Sequence, residues 1–87
     1  MVRKIVQIRN PEGLKARPAA MFVQSACRFQ AQILIEMGNK KINAKSIMGV
    51  LSLGVKSGDK VQIVATGEDE KDAVTILASM IESELGA

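Results

Sequence analysis

The spacing of the apolar residues in this chain changes repeatedly between the alternation typical of a strand and the three-to-four spacing typical of a helix. The clearest helical segment is Ala16–Phe29, where Pro18 falls in the first turn and its missing N–H costs nothing. Its apolar stripe consists of Ala19, Phe22, Val23, Ala26 and Phe29. The opposite stripe, which we expect to be exposed, consists of Ala20, Gln24 and Cys27.

The other segments predict an α+β fold in the order β-α-β-β-α-β-α. Val2–Ile8 is rich in β-branched residues and predicts a strand, with Val6 and Ile8 in the core. The later segments are a hairpin of Ile33–Met37 and Lys40–Asn43, a short helix Ser46–Leu53, a strand Lys60–Ala65 and a helix Asp69–Leu85. This order favours a two-layer sandwich of helices on an antiparallel sheet of about four strands. We expect all 87 residues, 1–87, to form one domain.

The chain contains no histidine and a single cysteine, Cys27. Metal sites built from histidine and cysteine are therefore excluded, as are Ser-His and Cys-His nucleophile pairs. Carboxylates such as Asp59, Asp69 and Asp72 fall in a turn and at a helix start, where solvated acids are common. We expect a protein that is not an enzyme and that has no metal or other cofactor.

The charge pattern gives little support for nucleic-acid binding. The net charge is +3, and the 12 basic residues are dispersed, with Phe22 and Phe29 as the only aromatic residues. An acidic protein partner explains this charge equally well. The first ten residues contain no apolar stretch long enough for a signal peptide, and no segment approaches a membrane span. We therefore expect a cytoplasmic protein that binds neither nucleic acid directly nor a membrane.

The first segment in which chemistry could reside is Gly13–Ala19. A loop containing glycine leads into a helix whose first N–H groups have no internal acceptor, and Lys15 and Arg17 lie beside them. One interpretation is an anion site, in which Arg17 grips a phosphate with two hydrogen bonds. The other is an ordinary helix start carrying two solvated cations. Local spacing alone does not decide between them.

The second segment begins at Ser46, a good N-cap candidate for the short helix. One interpretation is a purely structural cap. The other is a phosphorylation site: a phosphate carries about −1.5 to −2 charges at pH 7 and, at a helix start, changes surface charge rather than the fold. Val50 and Leu53 fit the buried side of the helix. The apolar residues that then face outward, as a docking patch or in part as core, are Ile47, Met48 and Leu51.

These two segments resemble the HPr family, the small phosphocarriers of the bacterial sugar phosphotransferase system. The resemblance extends over nearly the whole chain and includes Gly13–Ala19, Lys45–Gly49 and Gly67–Glu70. It implies an open-faced sandwich, in which three helices cover one side of a four-stranded antiparallel sheet. That fold agrees with the order of elements derived from the spacing.

The resemblance also places Lys15 where the family has its phosphohistidine. In the family that histidine takes a phosphoryl group from enzyme I and passes it to sugar-specific transport subunits. A protonated amine is not nucleophilic at neutral pH, and no other histidine can replace the imidazole. We therefore expect no phosphoryl relay, although Arg17, which supports the phosphoryl group in the family, is present.

The serine segment is intact, and the resemblance implies that Ser46 is phosphorylated by HPr kinase/phosphorylase. The phosphoprotein would then act as corepressor for catabolite control protein A, a LacI-type repressor. Members that keep the serine and lack the histidine form the Crh-type subgroup, which this chain resembles most. The expected partner-binding residues are Lys15, Arg17, Ala20, Gln24, Ile47, Met48 and Leu51.

Two alternatives remain at this point. The chain could be a phosphocarrier of the sugar phosphotransferase system, working with enzyme I and the transport subunits despite Lys15. The loop Asn10–Gly13 could also act as a hinge that lets two chains exchange their first strands. We accordingly expect either a monomer or a strand-swapped homodimer.

Overall fold

All seven predicted elements are present in the computed structural model, which describes residues 1–11 and 13–83. The strands are β1 (Val2–Gln7), β2 (Gln32–Met37), β3 (Lys40–Asn43) and β4 (Lys60–Thr66). The helices are α1 (Ala16–Ala26), α2 (Ile47–Ser52) and α3 (Glu70–Glu82). The predicted order β-α-β-β-α-β-α is therefore confirmed.

The strands form one antiparallel sheet in the order β1-β4-β2-β3. Because side chains alternate between the two faces of a strand, Val6 is buried under the helices whereas its neighbour Ile5 is 65% exposed on the opposite face. Helix α3 packs against β1 and β4, and α1 packs against both α2 and α3. Helices thus cover one face of the sheet, as the predicted open-faced sandwich requires.

The core lies between the sheet and the helices. Phe22 of α1, Ile63 of β4 and Leu77 of α3 are fully buried there, and each large apolar side chain contributes about 1.5–3 kcal/mol when it leaves water. The predicted core positions Val6 and Ile8 are also buried. This core fixes α1 and α2 against the sheet, so the starts of both helices have defined positions at the surface.

Several element ends coincide with the sequence prediction, and the others within the described residues differ from it by one to three residues. Helix α1 ends at Ala26 rather than Phe29, because the N–H groups of Arg28 and Phe29 donate to carbonyls only three residues back, at 3.1 and 3.2 Å. Such bonds tighten the last turn and end the α-helix. Phe29 nevertheless packs against the core. The predicted extension of α3 to Leu85 lies outside the described residues.

The β2–β3 hairpin turns at Gly38 and Asn39, as predicted, with Met37 opposite Lys40. Gly38 has φ +60°, whereas Asn39 is not in the positive-φ region. Glycine first with a positive φ is typical of type II′ turns, and it explains why the order Gly-Asn suits this hairpin.

Candidate functional site

Ser46 caps helix α2. Its extended backbone (φ −109°, ψ 115°) places the side-chain Oγ so that it accepts a hydrogen bond from the N–H of Gly49 at 3.2 Å. The Ser46 carbonyl accepts the first helical bond, from the N–H of Val50 at 3.0 Å. The predicted N-cap is confirmed, and the side chain is half-buried rather than enclosed.

Helix α2 buries one side and exposes the other. Val50 and Leu53 are 0% and 3% exposed, as predicted. The outward residues are Ile47, Met48 and Leu51, which are 37%, 74% and 41% exposed. Among the described residues, six large apolar side chains are exposed, and three of them lie in this six-residue helix. The helix that Ser46 begins therefore presents a concentrated apolar patch, which we call the α2 patch.

The start of α1 is the second predicted segment. Lys15 occupies the N-cap position without a side-chain capping bond, and the first turn carries no acidic residue. The side chains of Lys15 and Arg17 are exposed, and neither has a hydrogen-bond or ion-pair partner in the part of the chain that the structure describes. Ala16 has φ +46°, an unfavourable conformation for a residue with a side chain. The Lys15 ammonium and the Arg17 guanidinium are therefore free to meet an external anion.

A glycine brings another segment beside Lys15. Gly13 has φ +66°, and a Cβ there would overlap the carbonyl oxygen of Val55. This close approach places Lys56 and Ser57 next to the start of α1. The resulting surface hollow of about 580 Å³ is lined by Pro11, Lys15, Ala16, Lys56 and Ser57. Spacing in the sequence gave no signal for this contact, because the two loops are about forty residues apart and meet only through the fold.

The two predicted segments are carried by helices that pack against each other, α1 and α2. On α1, Gln24 and Cys27 are exposed as predicted, but Ala20 is only half-exposed because it lies nearer to the packed side of the helix. The structure thus places the exposed start of α1 and the α2 patch on neighbouring helices, while the predicted full exposure of Ala20 is wrong.

Lys45, immediately before Ser46, has contacts that the sequence did not indicate. Its backbone N–H donates to Oδ1 of Asn43 at 2.9 Å, and its Nζ donates to the carbonyl oxygen of Phe29 at 2.6 Å. The Sγ of Cys27 lies 3.8 Å from the Lys45 carbonyl oxygen, to which it donates a weak hydrogen bond. No local pattern predicts a bond from a lysine side chain to a backbone carbonyl sixteen residues away.

The carboxylates at the start of α3 accept hydrogen bonds that stabilise the fold. The Oδ atoms of Asp69 accept the N–H groups of Gln30 and Ala31 at 2.9 and 2.8 Å. The N–H of Gln30, then that of Ala31 and the charge of Lys45, hold the pKa of Asp69 below its ordinary value. The expectation of a merely solvated acid is wrong for Asp69, since tertiary hydrogen bonds engage it.

Glu70 is engaged in a similar way. It accepts from the N–H of Gly67 at 3.0 Å and pairs with the amino group of Met1 at 2.9 Å. The Gly67 N–H and then the amino group lower its pKa. Within residues 1–11 and 13–83, no three His, Cys, Asp or Glu side chains are grouped so that they could hold a metal ion. No helix in that part of the chain is long and apolar enough to cross a bilayer.

Three helices on one face of a four-stranded antiparallel sheet, in the order β-α-β-β-α-β-α, define the class of small proteins built on the HPr fold. A family model described as "PTS HPr component phosphorylation site" matches residues 2–83. The chain belongs to the HPr family.

One relative and two solved structures refine this placement. The HPr-like protein Crh of Bacillus subtilis (strain 168) is 48% identical over 85 residues, which cover 98% of this chain and 100% of the relative. The solved structure of HPr-C-His from Thermoanaerobacter tengcongensis has a TM-score of 0.97 and 50% identity, covering 100% of this chain and 98% of that one. A crystal structure of Bacillus subtilis Crh, described as a dimer with a swapped domain, has a TM-score of 0.78 and 47% identity with full coverage of both chains.

Proposed function

We propose that this protein is a regulator of carbon catabolite repression that is phosphorylated on Ser46 by HPr kinase/phosphorylase. The phosphoprotein then binds catabolite control protein A as its corepressor, in the cytoplasm and without catalytic activity of its own. The observation that carries this proposal is a combination of two features: a surface serine begins the helix that bears the α2 patch, and a lysine stands where the family has its phosphohistidine. Similarity to Crh of Bacillus subtilis, at 48% identity, supports the same assignment.

The proposed modification is a simple phosphoryl transfer. The Ser46 Oγ attacks the γ-phosphorus of ATP, an O–P bond forms, ADP leaves, and a base of the kinase takes the hydroxyl proton. The product carries about −1.5 to −2 charges at pH 7. Because Ser46 is half-buried at the edge of the molecule, the added charge alters the surface rather than the core.

The proposed partner surface combines charge and apolar contact. The phosphate supplies a charge that cationic groups of the partner can pair with, and the α2 patch supplies desolvated apolar area. Helix α1 adds polar contacts at its exposed side. The proposed contact residues are Lys15, Arg17, Ala20, Gln24, Ile47, Met48 and Leu51, which lie on two packed helices. A coupling between phosphate and partner of about 1–3 kcal/mol would change affinity 5- to 150-fold.

Labelling by the kinase tests the modification. The protein is incubated with HPr kinase/phosphorylase and radiolabelled ATP, in parallel with Ser46→Ala and Ser52→Ala. Ser52 is a matched control because it is an exposed serine of the same helix. We expect label in the wild-type protein and in Ser52→Ala, and none in Ser46→Ala. Equal label in all three proteins would rule out Ser46 as the acceptor.

Repressor binding is measured next by calorimetry with the purified phosphoprotein and the unmodified protein. We expect tight binding only for the phosphoprotein, and weaker binding for phosphorylated Met48→Ser, which keeps the charge but removes the most exposed side chain of the α2 patch. Equal affinity of the modified and unmodified proteins would contradict the corepressor role.

A phosphocarrier role is the second candidate, favoured by the similarity to HPr-C-His of Thermoanaerobacter tengcongensis. In this role the chain would exchange phosphate with enzyme I and sugar-specific transport subunits. Incubation with enzyme I and phosphoenolpyruvate distinguishes the two proposals. Acid-labile phosphate on the unaltered chain would establish the carrier role, whereas its absence supports the loss of the relay at Lys15.

Exchange of the first strand is a further proposal, motivated by the swapped dimer described for Bacillus subtilis Crh. Strand β1 is an edge strand that pairs only with β4. The loop that follows it contains Pro11, and the β1–β4 ladder is the main bonding that exchange must break and remake. Sedimentation at several concentrations distinguishes a monomer from a swapped homodimer, because only the dimer fraction grows with concentration.

A further inference from the structure

The residue before Ser46 is held through all three of its polar groups. The N–H of Lys45 donates to Asn43, its carbonyl oxygen accepts from the thiol of Cys27, and its Nζ donates to the carbonyl of Phe29. The Nζ–O distance of 2.6 Å is short for a hydrogen bond from a charged donor, and Lys45 is half-buried. A half-buried ammonium that is bonded to this carbonyl, and near enough to Asp69 to lower the pKa of its carboxyl, has little freedom to turn elsewhere.

Two of these three contacts reach the far end of helix α1. Cys27 is the C-cap residue of α1, and Phe29 lies two residues beyond it. Lys45 therefore ties the segment that precedes α2 to the end of α1. The core buries Val50 of α2 and Phe22 of α1 but leaves Ser46 half-exposed. The contacts of Lys45 therefore act next to a residue that core packing alone does not hold.

The acceptor of the Lys45 ammonium is itself held in place. The residues that follow Phe29 donate their N–H groups to the carboxylate of Asp69 at the start of α3. The peptide segment 29–31 is thus fixed on one side by α3 and bonded on the other side by Lys45. Because segment 29–31 is fixed, its bond to Lys45 also fixes the position of Lys45, which a bond to a mobile loop would not do.

We propose that Lys45 is a positioning residue, which holds Ser46 in the correct place relative to α1 for phosphorylation and keeps its ammonium away from the resulting phosphate. This inference rests on the proposed phosphorylation of Ser46. Because the ammonium is bonded to Phe29, the phosphate is not neutralised by its nearest neighbour in sequence. Its full charge remains available to cations of a partner.

The test compares Lys45→Met with Lys45→Arg and with Lys40→Met. Methionine keeps an unbranched apolar side chain and removes the ammonium, and arginine restores a cationic donor that can reach Phe29. Lys40 is a matched control, since it is an exposed lysine of β3 whose loss changes the net charge equally. All kinetics are measured below the unfolding transitions, which circular dichroism locates for each variant.

Phosphorylation kinetics with HPr kinase/phosphorylase and ATP give the first readout. We expect kcat/KM of Lys45→Met to fall about tenfold, because a misplaced acceptor oxygen slows transfer. Lys45→Arg should recover most of the loss, and Lys40→Met should stay within about twofold of the wild-type protein. Equal kinetics of Lys45→Met and Lys40→Met would overturn the positioning role, while an unlabelled wild-type protein would overturn the proposed phosphorylation as well.

The titration of the phosphoserine, followed by phosphorus NMR, gives the second readout, which tests whether the ammonium stays away from the phosphate. If the ammonium stays on Phe29, phosphorylated Lys45→Met and phosphorylated wild-type protein titrate at the same pH. If Lys45 pairs with the phosphate instead, its removal disfavours the dianion and raises the phosphoserine pKa. A rise that is absent from Lys40→Met would overturn the inference that the ammonium stays away from the phosphate.

Discussion

Replacing Ser46 with alanine measures how much the structural role of this serine contributes, apart from its proposed role as a phosphoryl acceptor. The substitution removes the side-chain capping bond at the start of α2, from the N–H of Gly49 to Oγ at 3.2 Å. The backbone bond from the N–H of Val50 to the Ser46 carbonyl remains. Helix α2 should therefore form in the variant with one of its first N–H groups unpaired.

The expected loss follows from the geometry. Substitution of an N-cap serine by alanine costs about 0.5–2 kcal/mol. The Ser46 bond is at the long end of the usual range, and water can reach the half-buried site, so we expect about 1 kcal/mol. For a domain of this size, that loss lowers the unfolding temperature by about 4–8 °C.

Thermal and urea unfolding followed by circular dichroism measure this loss. Ser52→Ala is the control, because its hydroxyl is exposed and donates to the Gly49 carbonyl at 2.7 Å without capping the helix. We expect that variant to stay within about 0.5 kcal/mol of the wild-type protein. Ser46→Asp should recover most of the loss, since it restores an acceptor and puts negative charge at the helix start.

The result that refutes this reasoning is equal stability of Ser46→Ala and Ser52→Ala. In that case the hydrogen bond from Gly49 to Ser46 contributes nothing measurable to stability, and Ser46 has no capping role. The expected loss of about 1 kcal/mol, in contrast, leaves the variant folded. Absence of label in Ser46→Ala would then report the missing hydroxyl rather than unfolding.

Three further perturbations test the other parts of the argument. Lys15→His should make the chain accept acid-labile phosphate from phosphoenolpyruvate through enzyme I, and failure to do so would show that more than the imidazole is missing. Asp69→Asn should destabilise the protein at neutral pH, because the N–H of Gln30 lowers the pKa of Asp69; the difference from wild type, measured by urea unfolding, should shrink as the pH falls below about 4. Gly13→Ala should cost about 2 kcal/mol or more in the same assay, because φ is +66° and a Cβ would overlap the Val55 carbonyl; a neutral effect would contradict the close approach.

For most of the chain, the period of the apolar residues was sufficient to predict the order of elements. Helix α2 is the exception, because a six-residue helix has no strong periodicity of its own. There the prediction depended on the capping chemistry of Ser46 and on the buried pair Val50 and Leu53. Helix ends were less predictable. Helix α1 ends at Ala26 because its last turn tightens, but Phe29 still packs against the core. Its apolar character therefore made the helix look longer in the sequence than it is.

The contacts that fix the site could not be predicted from local pattern. The bonds of Lys45 to Phe29 and of Asp69 to Gln30 join a side chain to a backbone group far away in sequence. A lysine and an aspartate beside turns are ordinarily solvated, so their residue types give no signal. Such contacts become visible only once the fold brings three loops together.

The proposed loss of the phosphoryl relay and the proposed retention of docking are compatible because the two activities depend on different residues of the fold. In the proposed function, the phosphoryl relay depends on one imidazole at the start of α1, so a lysine at position 15 would remove it without affecting packing, since the side chain is exposed. The proposed docking depends on the arrangement of two packed helices and on a hydroxyl at the start of α2, neither of which requires that imidazole. Because the side chain of Lys15 is exposed and makes no bond within the described residues, substitutions there should alter partner choice while leaving the unfolding temperature almost unchanged.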